Sequence, residues 1–161
     1  MAERWFLKID GILGESTDAR HKDEIDVLSW SWGVENAGGG AGSRGGGRAS
    51  KATFEDVHFV STISRASPTL FLSCATGTHH KSAVLSGVRT AAKGASREFL
   101  KYQLSDVSVT SDHHSGGDDD PAVEAFSLNY AKIEITYTPQ SASGAAGTPI
   151  RAGFDVKANK F

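Results

Sequence analysis

Five residues near the middle of the chain's second half, His113, His114, Asp118, Asp119 and Asp120, put imidazole beside carboxylate. Those donor types suit zinc, nickel or manganese. Their arrangement argues against a built site. A Ser-Gly-Gly spacer separates the two groups, the aspartates are consecutive rather than alternating, and no EF-hand spacing is met. A solvated acidic loop is the simpler reading, and no metal or other cofactor is expected. His79 and His80 fall just past a helical segment, where imidazoles meet helix-end carbonyls or solvent. Gly40, Gly42 and Gly45 satisfy G-x-G-x-x-G, yet no strand-turn-helix surrounds them, so the pattern reads as a flexible loop rather than a dinucleotide site. Cys74 lies on the apolar stripe of that helical segment and reads as a packed thiol. No serine sits in G-x-S-x-G. The residues carry no enzyme signature.

The chain of 161 residues is long enough for one domain, 1–161, burying roughly two-thirds of its unfolded surface. A single cysteine excludes an internal disulfide and fits folding in a reducing cytoplasm. The opening MAERWFLKID lacks the apolar core of a secretory signal, and no apolar run approaches the roughly 20 residues of a membrane span. A net charge of -2 gives no global attraction to nucleic acid or to an acidic membrane. Charge is uneven along the chain. Seven acidic and four basic residues precede Leu28, whereas only Arg44, Arg48 and Lys51 are charged between Asn36 and Thr53.

Alternation dominates the elements. Trp5 to Ile9 reads as a first strand with Lys8 outward, and Thr53 to Ser61, Ala83 to Thr90, Phe99 to Ser111 and Glu124 to Tyr137 as later ones, the last with a bulge near Ala131. Phe154 to Val156 supplies a short final strand. Ser67 to Gly77 is the one helix, with Ser67 as N-cap, Pro68 in the first turn, Gly77 as stop, and Leu70, Phe71, Cys74 and Ala75 on one face. Asp23 to Asn36 is the central strand. Read as an unbroken alternation, it places Asp26, Leu28, Trp30, Trp32 and Val34 on one face and Ile25, Val27, Ser29, Ser31 and Gly33 on the other. The Trp face is then core, and the small hydroxylated face suits close approach or cargo. Gly38 to Gly47 follows as an extended loop, the tip of a long hairpin to Thr53 to Ser61. One helix among many strands predicts a mainly β fold, a closed or nearly closed barrel or sandwich with one short flanking α-helix.

The segments GESTDARHKDEIDVLSWSWGV (Gly14 to Val34), SPTLFLSCATGTHH (Ser67 to His80) and EAFSLNYAKIEITYTPQ (Glu124 to Gln140) resemble the Hcp family, the tube protein of bacterial type VI secretion. The resemblance runs from Phe6 to about Val156. It implies a two-sheet β-barrel with a side helix. It also implies homo-hexameric rings that stack into a hollow tube inside a contractile sheath and are expelled from the cytoplasm, with effectors in the lumen and spike and sheath components as partners. Ser31 matches a family position taken to face the channel, and Ser29 shares its face. The stretch from Gly38, Gly39 and Gly40 through Arg44, Arg48 and Lys51 looks like the family's extended loop toward a neighbouring subunit or ring. Its positive charge is expected to meet acidic groups such as Asp18, Asp23 or Asp118 to Asp120 on the opposing ring face. The competing readings are a free-standing ring-shaped effector carrier and a monomeric β-barrel ligand-binding module.

Overall fold

The computed structural model describes residues 2–37, 51–90, 94–141 and 144–161. Ten strands and one helix follow in order: β1 Ala2–Ile9, β2 Ile25–Ser31, β3 Val34–Glu35, β4 Thr53–Phe54, β5 Val57–Thr62, α1 Ser67–Thr76, β6 His79–Thr90, β7 Ser96–Ser115, β8 Val123–Asn129, β9 Lys132–Tyr137 and β10 Ile150–Asp155. The main sheet runs β10-β9-β7-β6-β1-β2-β5-β8, and β8 pairs back onto β7. Six strands, β7-β6-β1-β2-β5-β8, therefore close a barrel, and β9 and β10 extend from it. The mainly β fold with a closed barrel and one short helix is the one the alternation predicts. The hairpin stem is present too, as β2 pairs with β5 and β3 with β4, but its tip from Gly38 to Gly47 lies outside the described residues.

Neighbours in register share a face of the sheet, so the pairings sort the side chains. Leu7, Ile25, Val27, Phe59, Leu85, Leu104, Phe126 and Leu128 point inward and are almost fully buried. Trp5, Trp30 and Tyr102 bridge the barrel interior by edge-on ring contacts, 4.9 Å between Trp5 and Trp30 and 5.0 Å between Trp30 and Tyr102. Gly87 faces Trp5 across the β1–β6 ladder, and a Cβ there would stand 2.5 Å from the indole. The bare backbone makes room for the ring.

The unbroken alternation of the central strand is overturned at Leu28. The β2–β5 register shifts between Val27 and Ser29, a bulge that spends one residue without advancing the pairing. Ile25 and Val27 therefore point inward together with Trp30, and not outward with Ser29 and Ser31, while Leu28 is 59% exposed. Val34 is exposed as well, on the β3–β4 ribbon.

β8 and β9 lie end to end along one edge of β7, His114 to Ser108 opposite Glu124 to Asn129 and Ser105 to Leu100 opposite Lys132 to Tyr137. The break at Tyr130 and Ala131 sits opposite Asp106, whose φ is 53°.

 Asp23, ahead of β2, has a φ of 62°, and both aspartates occupy the left-handed region that Asp and Asn tolerate better than other side chains. At this break the sheet forks, because β8 turns to pair with β5 and β9 pairs with β10. Aromatic side chains fill the fork. Trp32 Nε1 donates to Tyr130 Oη, Tyr130 Oη donates to the Glu55 carbonyl at 2.7 Å, and Phe54 stacks on Phe154 with centroids 5.1 Å apart. The bulge expected near Ala131 is thus an interruption between two strands.

The helix ends at Gly77 as expected, but its start and its buried face differ from expectation. Ala66 holds the N-cap position without a side-chain cap, and Ser67 is the first helical residue. The buried side is Ser67, Leu70 and Ser73, with Cys74 half-buried, whereas Phe71 and Leu72 are 59% and 58% exposed. Polar anchors set this rotation. Ser67 Oγ donates to Glu124 Oε1 at 2.7 Å, and Ser73 Oγ lies 3.0 Å from His80 Nε2.

Candidate functional site

Two outward rows cross β2, β5, β8 and the end of β7: Ser29, Val60, Ala125 and His113 in one, Ser31, His58, Ser127 and Ser111 in the other. Their side chains are small or polar, and Ser29, Ser31, His58, Ala125 and His113 are exposed. This is the outer surface of the barrel wall behind which Trp30, Phe59 and Phe126 pack inward. An antiparallel wall with one dry face and one wet face needs this alternation, and the short hydroxyl side chains keep the wet face low. Ser127 is the exception in burial, because the register shift between Val109 and Ser111 brings Thr110 Oγ1 within 2.7 Å of its hydroxyl. Thr110 Oγ1 also donates to Asp56 Oδ2 at 2.7 Å, and Asn129 Nδ2 donates to Asp56 Oδ1 at 2.9 Å, so a carboxylate ties the β7 bulge to the β4–β5 turn.

Charge concentrates at one rim of the barrel instead. Asp112 and His114 lie two apart on the inward face of β7, and His114 pairs with Glu124 on β8. His114 Nε2 is 2.9 Å from Glu124 Oε2 and 3.1 Å from Asp112 Oδ2. The Asp112 and Glu124 side chains are 5% and 1% exposed, against 46% for His114. Burial, reinforced by Asp112, raises the Glu124 carboxyl to about 7, with Ser67 and His114 pulling the other way. For His114, burial works against the charged ring, but its bonds to Glu124 and Asp112 outweigh that and move it upward. Among the described residues this is the one group of three or more His, Cys, Asp or Glu side chains placed to share a cation.

The sequence-predicted residues distribute as follows. Ser29 and Ser31 are brought together on the bare outer face. Gly38, Gly39, Gly40, Arg44 and Arg48 lie outside the described residues, and Lys51 is exposed beside them. His113 and His114 belong to β7 rather than to a loop, and they point to opposite faces. His114 pairs with Asp112 and Glu124, not with Asp118, Asp119 or Asp120, which are exposed. Glu124 and Asp112 were therefore missed as site residues. The signal for Asp112 was the Asp-x-His spacing, which on a strand continued past Ser111 puts both side chains on one face. His80 bonds the helix through Ser73 and donates from Nδ1 to the Asp10 carbonyl at 2.8 Å, while His79 Nδ1 meets Asp106 Oδ1 at 2.8 Å. Asp18 and Asp23 already face Arg4 at 3.7 Å and Arg65 at 2.8 Å.

Comparison with known proteins places this barrel in a family. Residues 6–137 match the family described as "Type VI secretion system effector, Hcp". The chain is 37% identical over 161 residues to Protein hcp1 of Pseudomonas aeruginosa, covering 99% of this chain and 98% of that protein. A solved type six secretion system protein superposes with a TM-score of 0.90 at 28% identity, with 99% of each chain covered. Hcp1 from Salmonella typhimurium gives 0.77 at 35% identity, again with 99% of each covered. A type VI secretion system effector from Yersinia pestis gives 0.75 at 32%, covering 94% of this chain and 99% of that one. The chain belongs to the Hcp family, and it is a tube and effector protein of type VI secretion. Among the described residues no helix is long and apolar enough to cross a membrane.

Proposed function

We propose that this chain is a single-domain subunit that closes into hexameric rings and stacks into the hollow tube of a type VI machine. The rings form in the cytoplasm, are expelled by the type VI machinery, and act without catalysis. The bare hydroxylated face around Ser29 and Ser31 supports this reading best, as a wet, low wall suited to line a shared channel and touch cargo. A ring requires a heterologous contact whose rotation closes, so one barrel edge meets a different surface of the neighbour. Negative-stain electron microscopy of the purified chain tests it: rings with an open centre are expected, and a monodisperse monomer overturns it. Discrete rings that never stack favour a free-standing carrier.

The glycine-rich loop, with Arg44, Arg48 and Lys51, makes the contact between rings in this reading. Asp118, Asp119 and Asp120 are the fitting acceptors, since no ion pair engages them among the described residues, whereas Asp18 and Asp23 are already paired. Such contacts are weak singly and multiplied by ring symmetry. Tube length is expected to fall with rising ionic strength, and salt-insensitive stacking overturns the assignment. Spike and sheath components and effectors are the partners of the assembled tube.

A further inference from the structure

The rim cluster holds more carboxylate than its hydrogen bonds satisfy. A ring nitrogen carries at most one proton, so His114 Nε2 cannot donate fully to both Asp112 Oδ2 and Glu124 Oε2, although it lies 3.1 and 2.9 Å from them. Asp112 Oδ1 is buried with no hydrogen-bond partner. A buried carboxylate oxygen left in that state is costly, and in native proteins it marks a missing ion or water. No lysine or arginine takes part in the described ion pairs of this cluster.

We propose that Asp112, His114 and Glu124 form a binding site for a divalent transition cation, with Zn²⁺ the best match. One imidazole nitrogen and two carboxylate oxygens supply the donor types zinc takes, and the two carboxylates neutralise its charge. The three ligand atoms lie within 4.8 Å of one another. Arms of about 2.0–2.2 Å at a tetrahedral centre place ligands roughly 3.3–3.6 Å apart, so a small outward shift of His114 opens the site. On binding, the Nε2 proton leaves to solvent and the imidazole coordinates in its neutral form. Ser67 Oγ already engages Glu124 Oε1, which leaves Oε2 turned toward the ion and fixes the ligand's orientation. The half-exposed His114 side gives the ion its entry and a water the fourth position. Mg²⁺ fits poorly, since it demands octahedral oxygen coordination. The ion would join β7, β8 and, through Ser67, the start of α1.

The test uses the full chain stripped with a chelator and titrated with Zn²⁺ alone, read by calorimetry and by thermal unfolding. One ion per chain and a raised Tm are expected. Glu124→Gln, which keeps an acceptor for Ser67, and His114→Gln are each expected to weaken binding about tenfold or more. His79→Gln, at the exposed pair with Asp106, leaves it unchanged. Circular dichroism confirms the fold, and the half-exposed His114→Gln carries the result if the buried Glu124→Gln does not fold. Absence of binding by the native chain, or equal binding by the native and His114→Gln proteins, overturns the site.

Discussion

The barrel wears two different outer faces. Over β1 and β6 the wall is covered by the chain's own connection between β1 and β2. Phe6 points outward there, opposite Asp26 and Ser86, yet it is 0% exposed. His21 stacks on its ring at 4.6 Å and 5°, and the Arg4 guanidinium lies 4.8 Å from the ring centroid. The cover is fastened at both ends. Gly14 and Ser16 donate backbone bonds to Asp23 and Glu24, and Arg65 reaches from beyond β5 to the Gly14 carbonyl and the Asp23 carboxylate. Over β2, β5 and β8 no such connection covers the wall, and the residues shrink to serine, alanine, valine and histidine. The difference teaches how to read an outward side chain. A large apolar one marks a face the chain covers itself, whereas a run of small polar ones marks a face kept open.

Substitutions at four positions sharpen or break that contrast. Phe6→Ala removes the ring under the cover and is expected to cost about 3–5 kcal/mol in denaturant unfolding, as for an interior phenylalanine; a loss under about 1 kcal/mol means the cover is loose. Gly14→Ala pushes a Cβ to 2.4 Å from the Glu24 carbonyl oxygen, which is backbone and cannot swing aside. The expected loss is about 1–3 kcal/mol, with weakened protection of the Asp23 and Glu24 region in hydrogen exchange.

Glu24 supplies the third, through pH. Burial beneath the cover raises its carboxyl above the ordinary value, partly offset by His21. A carboxyl that binds its proton more tightly when folded contributes stability below its unfolded pKa and loses it as pH rises through the folded value. The native chain is therefore expected to lose stability relative to Glu24→Gln as pH rises from the ordinary glutamate range through the raised folded value. The opposite slope shows that the His21 pairing, not burial, governs the cover. The smallest effect belongs to the bare face. Ser31→Thr is expected to stay within about 0.5 kcal/mol of the native chain, and Ser31→Trp to leave rings intact under the microscope while reducing cargo retention. Loss of the rings themselves makes Ser31 structural.

Periodicity carried the strands because each interior residue repeats at two, and Phe59, Phe126 and Leu128 are buried as their alternation predicts. It failed at Leu28, since a bulge is set by the partner strand β5 and leaves no mark on β2 alone. The helix misled through Phe71: apolarity suggested a buried face, but the rotation is fixed by Ser67 and Ser73 reaching polar partners far along the chain. The rim cluster was hidden for the same reason. Asp112 and Glu124 meet only through the β7–β8 ladder, and Glu124, the first residue of its predicted strand, is 0% exposed. The consecutive aspartates drew attention to a loop that takes no part in it. The family was legible because its segments span nearly the whole chain, whereas the open face needed the pairings to assemble it from four strands.

The fork at Tyr130 and Ala131 sets an order of events for the folding chain. β7 and the β8–β9 line form by local closure, whereas the β5–β8 and β1–β6 seams join distant segments, His58 with Ser127 in the one and Leu7 with Leu85 in the other. Local pairings form early and distant ones late, because loop closure must be met before the contacts reward it. The two distant seams, β1–β6 and β5–β8, therefore close the barrel last, and the second runs along strands that bear its open face. Until that seam is joined β8 presents an unpaired edge, the state in which a second nascent chain is the chief competitor for the place of β5.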